Sequence, residues 1–175
     1  MTSFEMALHK TKEYEGDFSN HKDDRGGPTK YGISAKFMES VTGEPWDERR
    51  ISAITKEQAA SIYYEHFWLK AKCDQMPDLV DRKLFDTAVN LGITAAAKIL
   101  QRAIRSVGSP DPIKDDGIIG RKTIIAAGLA CQGGDSSALL AAMRSEQAGY
   151  YRSIVARNKS QIVFLNGWLR RAYDE

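Results

Sequence analysis

The residue best placed to do chemistry is Glu15. Phe4, Leu8, Thr11 and Glu15 recur at the spacing of one helix face, because residues seven and eleven apart align at 100° per residue. Glu15 therefore ends a stripe that faces a core. Partial burial raises a carboxyl pKa, and the negative end of the helix dipole pushes the same way. An acid held protonated near neutral pH can donate to a glycosidic leaving group. The competing reading is a helix-end glutamate that points to solvent. Behind Glu15 runs a loop holding Asp17, Asp23 and Asp24. Paired carboxyls, separated by about 5–5.5 Å or about 6.5–9.5 Å, are the usual apparatus of glycoside hydrolysis. Asp24 can return across a cleft to orient water or stabilise oxocarbenium charge. Asp23 can instead bond within its own turn. Both can equally serve only to shape that turn.

These residues need elements to position them. Thr2 with Glu5 forms a capping-box pattern that starts a first helix, and Gly16 stops it. Residues 16–32 are rich in glycine, charge and turn formers and read as an ordered loop or short hairpin. Ser34 caps a second short helix ending near Gly43, and Thr55 with Gln58 opens a third over roughly 56–70. After Pro77 an apolar helix carries Val80, Leu84, Phe85, Ala88 and Leu91. Gly92 interrupts it and Thr94 restarts a helix to about Arg105. Beyond the loop SVGSPDPIKDDGIIG, helices are expected near 121–131, 136–157 and 160–172. The class is all-α with a small β-hairpin near 17–33. A catalytic region over 1–93 and a helical region over 94–175 are expected to pack as one globular unit.

The run from Glu15 to Ile33, EGDFSNHKDDRGGPTKYGI, resembles the signature of glycoside hydrolase family 108. These are N-acetylmuramidases of phage endolysin and secretion-activator type. The family pattern is roughly E-G-G-[YF]-S-N-x-x-x-D-x-G-G-x-T-x-[YF]-G-I, and Asp17 stands where it has glycine. That departure touches backbone freedom, not the acid. Phe85–Gly92 is similar to the family's F-D-x-A-V-N-x-G segment. Leu100-Gln101 with Asp116–Gly120 and Thr123 resembles its LQ…DGxxGxxT segment, which is also similar to peptidoglycan-binding modules. Phe164–Arg171 resembles its F-x-x-G-W-x-x-R end. The resemblance implies a lysozyme-like helical fold and hydrolysis of the β-1,4 bond between N-acetylmuramic acid and N-acetylglucosamine. It places the catalytic glutamate at Glu15, and Asp24 and Thr29 as the nearest candidates for handling the water. No metal or organic cofactor is implied, and bacterial peptidoglycan is the expected partner.

Several further residues carry two readings each. Tyr31 can line a sugar subsite or pack in the core. Asn90 is an amide in an apolar helix, where a buried amide needs partners; a cleft role holding an N-acetyl group is the favoured reading. Asp86 shares its face and reads as structural, holding Asn90 or the loop, within the candidate substrate-binding set of Tyr31, Asn90 and Asp86. The DDGIIG segment reads as a structural turn in preference to a wall-peptide site. Trp168, with Leu165 and Ala172 at helical spacing, reads as a core anchor, and Arg170 and Arg171 as surface residues or a pin for the terminus.

Composition narrows the classes. The chain has 175 residues, 42% hydrophobic and 27% charged, as ordinary globular domains do. A net charge of +2 is too balanced for a dedicated nucleic-acid binder and suits an anionic wall. Cys73 and Cys131 are far apart and read as free thiols, and three histidines offer no zinc constellation. MTSFEMALHK lacks the basic and apolar regions of a secretory signal, and no apolar run approaches a membrane span. The expectation is a monomer made in the cytoplasm that acts in the periplasm or wall after holin-type or other export. A lytic transglycosylase and a non-catalytic wall-binding protein are the rival readings.

Overall fold

Local capping signals are realised almost everywhere they occur. The computed structural model describes residues 1–15, 18–19, 27–108 and 113–174, without the side chains of 12–15 and 18–19. The chain divides into two compact units, Met1–His66 and Phe67–Glu175.

In the first unit, α1 (Ser3–Glu15) starts on a closed capping box. The Thr2 amide donates to Glu5 Oε2 at 2.7 Å, and the Glu5 amide to Thr2 Oγ1 at 3.2 Å. Ala7, Leu8 and Thr11 are buried, so the predicted stripe is realised up to Thr11. Phe4 sets its ring edge-on to Tyr64, 5.0 Å between centroids. Three two-residue strands follow: β1 (Phe18–Ser19), β2 (Thr29–Lys30) and β3 (Ile33–Ser34). They form one antiparallel sheet in the order β1-β2-β3. Next, α2 (Ala35–Thr42) is capped by Ser34 and closed by left-handed Gly43. Asp47 caps the short α3 (Glu48–Ser52). The sequence reading had not separated this helix, since five residues are too few to show a period. A second closed capping box, Thr55 with Gln58, opens α4 (Lys56–Tyr63), and a π-helical stretch covers Tyr64–Leu69.

The second unit is built from α5 (Val80–Leu91), α6 (Ile93–Ser106), α7 (Arg121–Ala130), α8 (Ser137–Arg157) and α9 (Ile162–Tyr173). Gly92 joins α5 to α6 with φ 84° and ψ 154°, a combination essentially reserved for glycine. The two helices fold against each other, and α6 and α9 both pack on α8. The packing division falls after His66. Leu84, Phe85, Ala97, Leu100, Ile104, Leu139 and Met143 form the fully buried centre. Each of the larger side chains contributes about 1.5–3 kcal/mol by leaving water. The last helix is held by Ala148, Tyr151 and Ala172, with Leu165, Trp168 and Leu169 packed around them. Trp168 lies between Tyr151 and Phe164, centroids at 5.3 and 5.8 Å. It is the core anchor its spacing predicted.

The architecture is therefore the expected one, mostly helical and lysozyme-like with one small sheet. No described helix is long and apolar enough to cross a membrane.

Candidate active site

The backbone of α1 ends at Glu15. The Glu15 side chain, and Asp17, Asp23 and Asp24 entirely, lie outside the described residues. The sheet shows how the chain returns toward this end. Phe18 pairs with Lys30 and Ser19 with Thr29. Thr29 therefore lies across from a residue only four beyond Glu15, with partner Cα atoms about 5 Å apart in such a ladder. Thr29 donates its hydroxyl proton to the Gly27 carbonyl at 3.1 Å. Its oxygen keeps lone pairs that can accept from water.

Between β2 and β3, Thr29 pairs with Ser34 and Lys30 with Ile33. Tyr31 and Gly32 form the two-residue connection, with φ of 51° and 77°. Positive φ at both positions is the I′ hairpin turn, whose twist suits antiparallel strands. Glycine fits such a turn; a bulky tyrosine is strained there, by about 1–2 kcal/mol. Two contacts hold it. Tyr63, buried in α4, donates its hydroxyl to the Tyr31 carbonyl at 2.9 Å. Lys30 sits 5.3 Å from the Tyr31 ring centroid and donates to the Ser52 carbonyl. Ile33, 1% exposed, anchors the far strand. The Tyr31 side chain is left half-buried, neither core nor free surface.

In the second unit, Asp86 and Asn90 lie one turn apart on α5. Asp86 accepts from Arg171 Nε at 3.0 Å, an ion pair with both partners largely shielded. Arg171 is thus the pin of the last helix, while Arg170 stays exposed. Asn90 Oδ1 accepts the Tyr151 hydroxyl at 2.6 Å. Gln147 Nε2 donates to that same hydroxyl oxygen at 3.0 Å. Burial, with a smaller contribution from Asp86, pushes the Tyr151 phenol up to about 12, so it stays a donor. Buried Lys83 clasps the carbonyls of Arg171 and Ala172 at 3.1 and 2.7 Å. Asp86 and Asn90 thus each serve the packing of α5 against α8 and α9.

The DDGIIG segment is a turn organised by one buried glutamine. Gln101, 1% exposed, donates through Nε2 to Asp116 Oδ1 at 2.8 Å and to the Ile118 carbonyl at 3.0 Å. Its Oε1 accepts the Gly117 amide at 3.0 Å. Asp116 also accepts the Ile118 amide at 2.9 Å. That bond, with the one from Gln101, lowers the Asp116 pKa. Gly117 has φ 81°, and a Cβ there would lie 2.7 Å from Thr94 Cγ2. Asp115 is bonded by Arg102 at 2.7 Å and Arg105 at 3.1 Å, which draws its pKa down to about 2.

One open groove of about 560 Å³ lies in the first unit, lined by Trp46, Arg50, Ile54, Glu57, Ser61 and Ile62 among others. Arg50 stacks on Trp46 at 4.3 Å. The sequence reading had passed over this pair, whose signal is a cation four residues after a tryptophan. Among the described residues, no candidate site residue lines the groove, and Glu57 is the one carboxylate that does. A single carboxyl is not the pair that glycoside hydrolysis uses, so the described lining does not by itself make a hydrolytic site. Among the described residues no cluster of histidine, cysteine or carboxylate could hold a metal ion. Both cysteines are free and buried, and burial, reinforced by Asp81 and Asp74, pushes the Cys73 thiol well up, which makes it inert.

Comparison with known proteins fits this arrangement. Residues 8–92 match the glycosyl hydrolase 108 family and residues 95–173 the family described as a predicted peptidoglycan domain. No curated protein matches. Among solved structures the chain is similar to one titled "Structure of Brucella abortus SagA", with 26% identity and a TM-score of 0.73. That match covers 97% of this chain and 93% of the other. Residues 8–92 are thus a glycosyl hydrolase 108 region followed by a predicted peptidoglycan domain, and the chain is a peptidoglycan hydrolase.

Proposed function

We propose that the chain is an N-acetylmuramidase in which Glu15 protonates the oxygen of the β-1,4 bond between N-acetylmuramic acid and N-acetylglucosamine. The observation that carries this reading is the match of residues 8–92 to a glycosyl hydrolase family, in a unit whose first helix ends at Glu15. As the bond breaks, positive charge develops on the sugar ring and one water must attack the anomeric carbon. Asp24 is the candidate to activate that water or shield the charge. Thr29, with its proton committed to Gly27, orients the water by accepting from it. The half-buried Tyr31 ring offers an apolar face to a sugar, and its strained backbone is the kind found where geometry serves function. The chain is made in the cytoplasm and reaches the wall by holin-type or other export.

The test is Glu15→Gln. Loss of a positioned general acid costs about 10²–10⁴-fold in rate, so sacculus hydrolysis should fall by that factor while binding to sacculi persists. Unchanged hydrolysis would remove Glu15 from the mechanism. Mass spectrometry of the products separates hydrolysis from transglycosylation. Reducing-end muropeptides support a muramidase; anhydromuramic ends would replace it with a lytic transglycosylase. With a single protonated acid required, activity should decline as pH rises and that acid ionises.

A further inference from the structure

The link between α8 and α9 exposes an unusual surface. Ile162, Val163 and Phe164 are consecutive and 61%, 74% and 53% exposed. Solvent-facing apolar residues are normally scattered, and a contiguous set marks an interaction site. The charged residues just before it in the chain, Arg157 and Lys159, are basic and exposed. On α9, Val163, Gly167 and Arg170 fall on one outward stripe at helical spacing, and a Cβ at Gly167 would meet nothing within 4 Å.

The tip has two further properties. Four of its backbone amides are satisfied from within. Asn158 N–H donates to the Ile154 carbonyl at 2.9 Å, Ser160 N–H to Asn158 Oδ1 at 3.2 Å, and Gln161 N–H to the Asn158 carbonyl at 3.1 Å. Ile162 N–H closes on the Lys159 carbonyl. A segment entering a low-dielectric layer must satisfy its amides this way, because that layer offers no partners. The tip is also backed by the stack of Phe164, Trp168 and Tyr151, so the apolar side chains are held out on a firm base.

We propose that this tip docks the protein onto an anionic lipid surface. Ile162, Val163 and Phe164 enter the headgroup boundary while Arg157, Lys159 and Arg170 contact lipid phosphates. A second copy of this chain fits less well, since a symmetric contact would bring the same cations together. With α9 only 12 residues long, the contact is peripheral and not spanning.

Vesicle co-sedimentation of the full chain tests this. Vesicles of phosphatidylcholine mixed with phosphatidylglycerol should bind it, and vesicles of phosphatidylcholine alone should bind at least about tenfold more weakly. Ile162→Ser with Val163→Ser should weaken binding to the mixed vesicles about tenfold or more, and Lys159→Glu should weaken it and reduce its salt dependence. A Val163→Cys chain carrying an environment-sensitive fluorophore reads the same contact with one exposed change, and its emission should shift blue on mixed vesicles. Equal binding to both vesicle types, or an unmoved fluorophore, would overturn the proposal. So would a wild-type dimer that the serine pair dissociates without vesicle binding, or capture by purified sacculi that the pair abolishes without vesicle binding.

Discussion

At Tyr31 and at Gly117 the chain turns through left-handed backbone, with φ of 51° and 81°. The two turns handle that conformation differently. At Gly117 a glycine sits where a Cβ has no room beside Thr94, and buried Gln101 fills the turn's hydrogen bonds. Nothing there is strained. At Tyr31 a bulky side chain occupies a conformation that glycine would adopt freely, held by the Tyr63 hydroxyl on its carbonyl and by Lys30 beside its ring. The relaxed turn stands in the region matched to a predicted peptidoglycan domain; the strained one stands in the glycosyl hydrolase region. Strain persists where surrounding structure over-determines it, and it concentrates at working sites. The contrast supports the sugar-contacting role proposed for Tyr31 and gives Gly117 an architectural one.

The sharpest way to break the contrast is Gly117→Ala. A left-handed alanine costs about 1–2 kcal/mol and the overpacking against Thr94 about 1–3 kcal/mol more. A loss of about 2–5 kcal/mol in urea unfolding is expected, and a loss under about 1 kcal/mol would mean the turn is not tightly fixed. Gln101→Leu should cost about 2–3 kcal/mol, because it strands the Gly117 amide and the Ile118 carbonyl. Tyr63→Phe removes the bond that holds Tyr31 and should cost about 1 kcal/mol. Tyr31→Asn should behave oppositely to Gly117→Ala. Asparagine tolerates left-handed backbone, so stability should stay within about 1 kcal/mol of wild type while KM for sacculi rises. An unchanged KM would take Tyr31 out of the substrate contact.

The smallest effect concerns Asp115. Its carboxyl, drawn down to about 2 first by Arg102 and further by Arg105, should remain ionised at a pH where free aspartate is protonated. Its folded pKa lies below the unfolded value of about 3.9. The stabilisation is therefore present above the unfolded pKa and is lost as pH falls from about 4 through about 2. Carboxyl NMR titration reads this directly, and Arg102→Ala should return the midpoint toward the ordinary range.

What was legible in the sequence was local. The Thr2–Glu5 and Thr55–Gln58 boxes, the Ser34 and Gly43 caps and the Gly92 break act within a turn of chain, and all appear in the structure. Trp168 could be read because its partners on α9 recur at helical spacing. The partners of Asp86 and Asn90 could not: Arg171 and Tyr151 lie 85 and 61 residues away, and no periodicity encodes such pairings. The strain at Tyr31 was hidden for another reason. The Lys-Tyr-Gly-Ile run advertises only its glycine, whereas the I′ turn imposes the same backbone on the residue before it. The water-handling partner of Glu15 remains a choice among Asp24, Thr29 and Asp23, of which the described residues place Thr29 alone.

The clasp of Lys83 on the carbonyls of Arg171 and Ala172 has a consequence for biosynthesis. Those carbonyls leave the ribosome 88 and 89 residues after the lysine that needs them. Until they arrive, two of the acceptors that offset burial of its ammonium group are missing. The second unit therefore has a reason to close late, when its final helix emerges. Fragments cut short before Ala172 should be marked for proteolysis by their open core, so that unfinished copies of a wall-cutting enzyme are cleared before they accumulate.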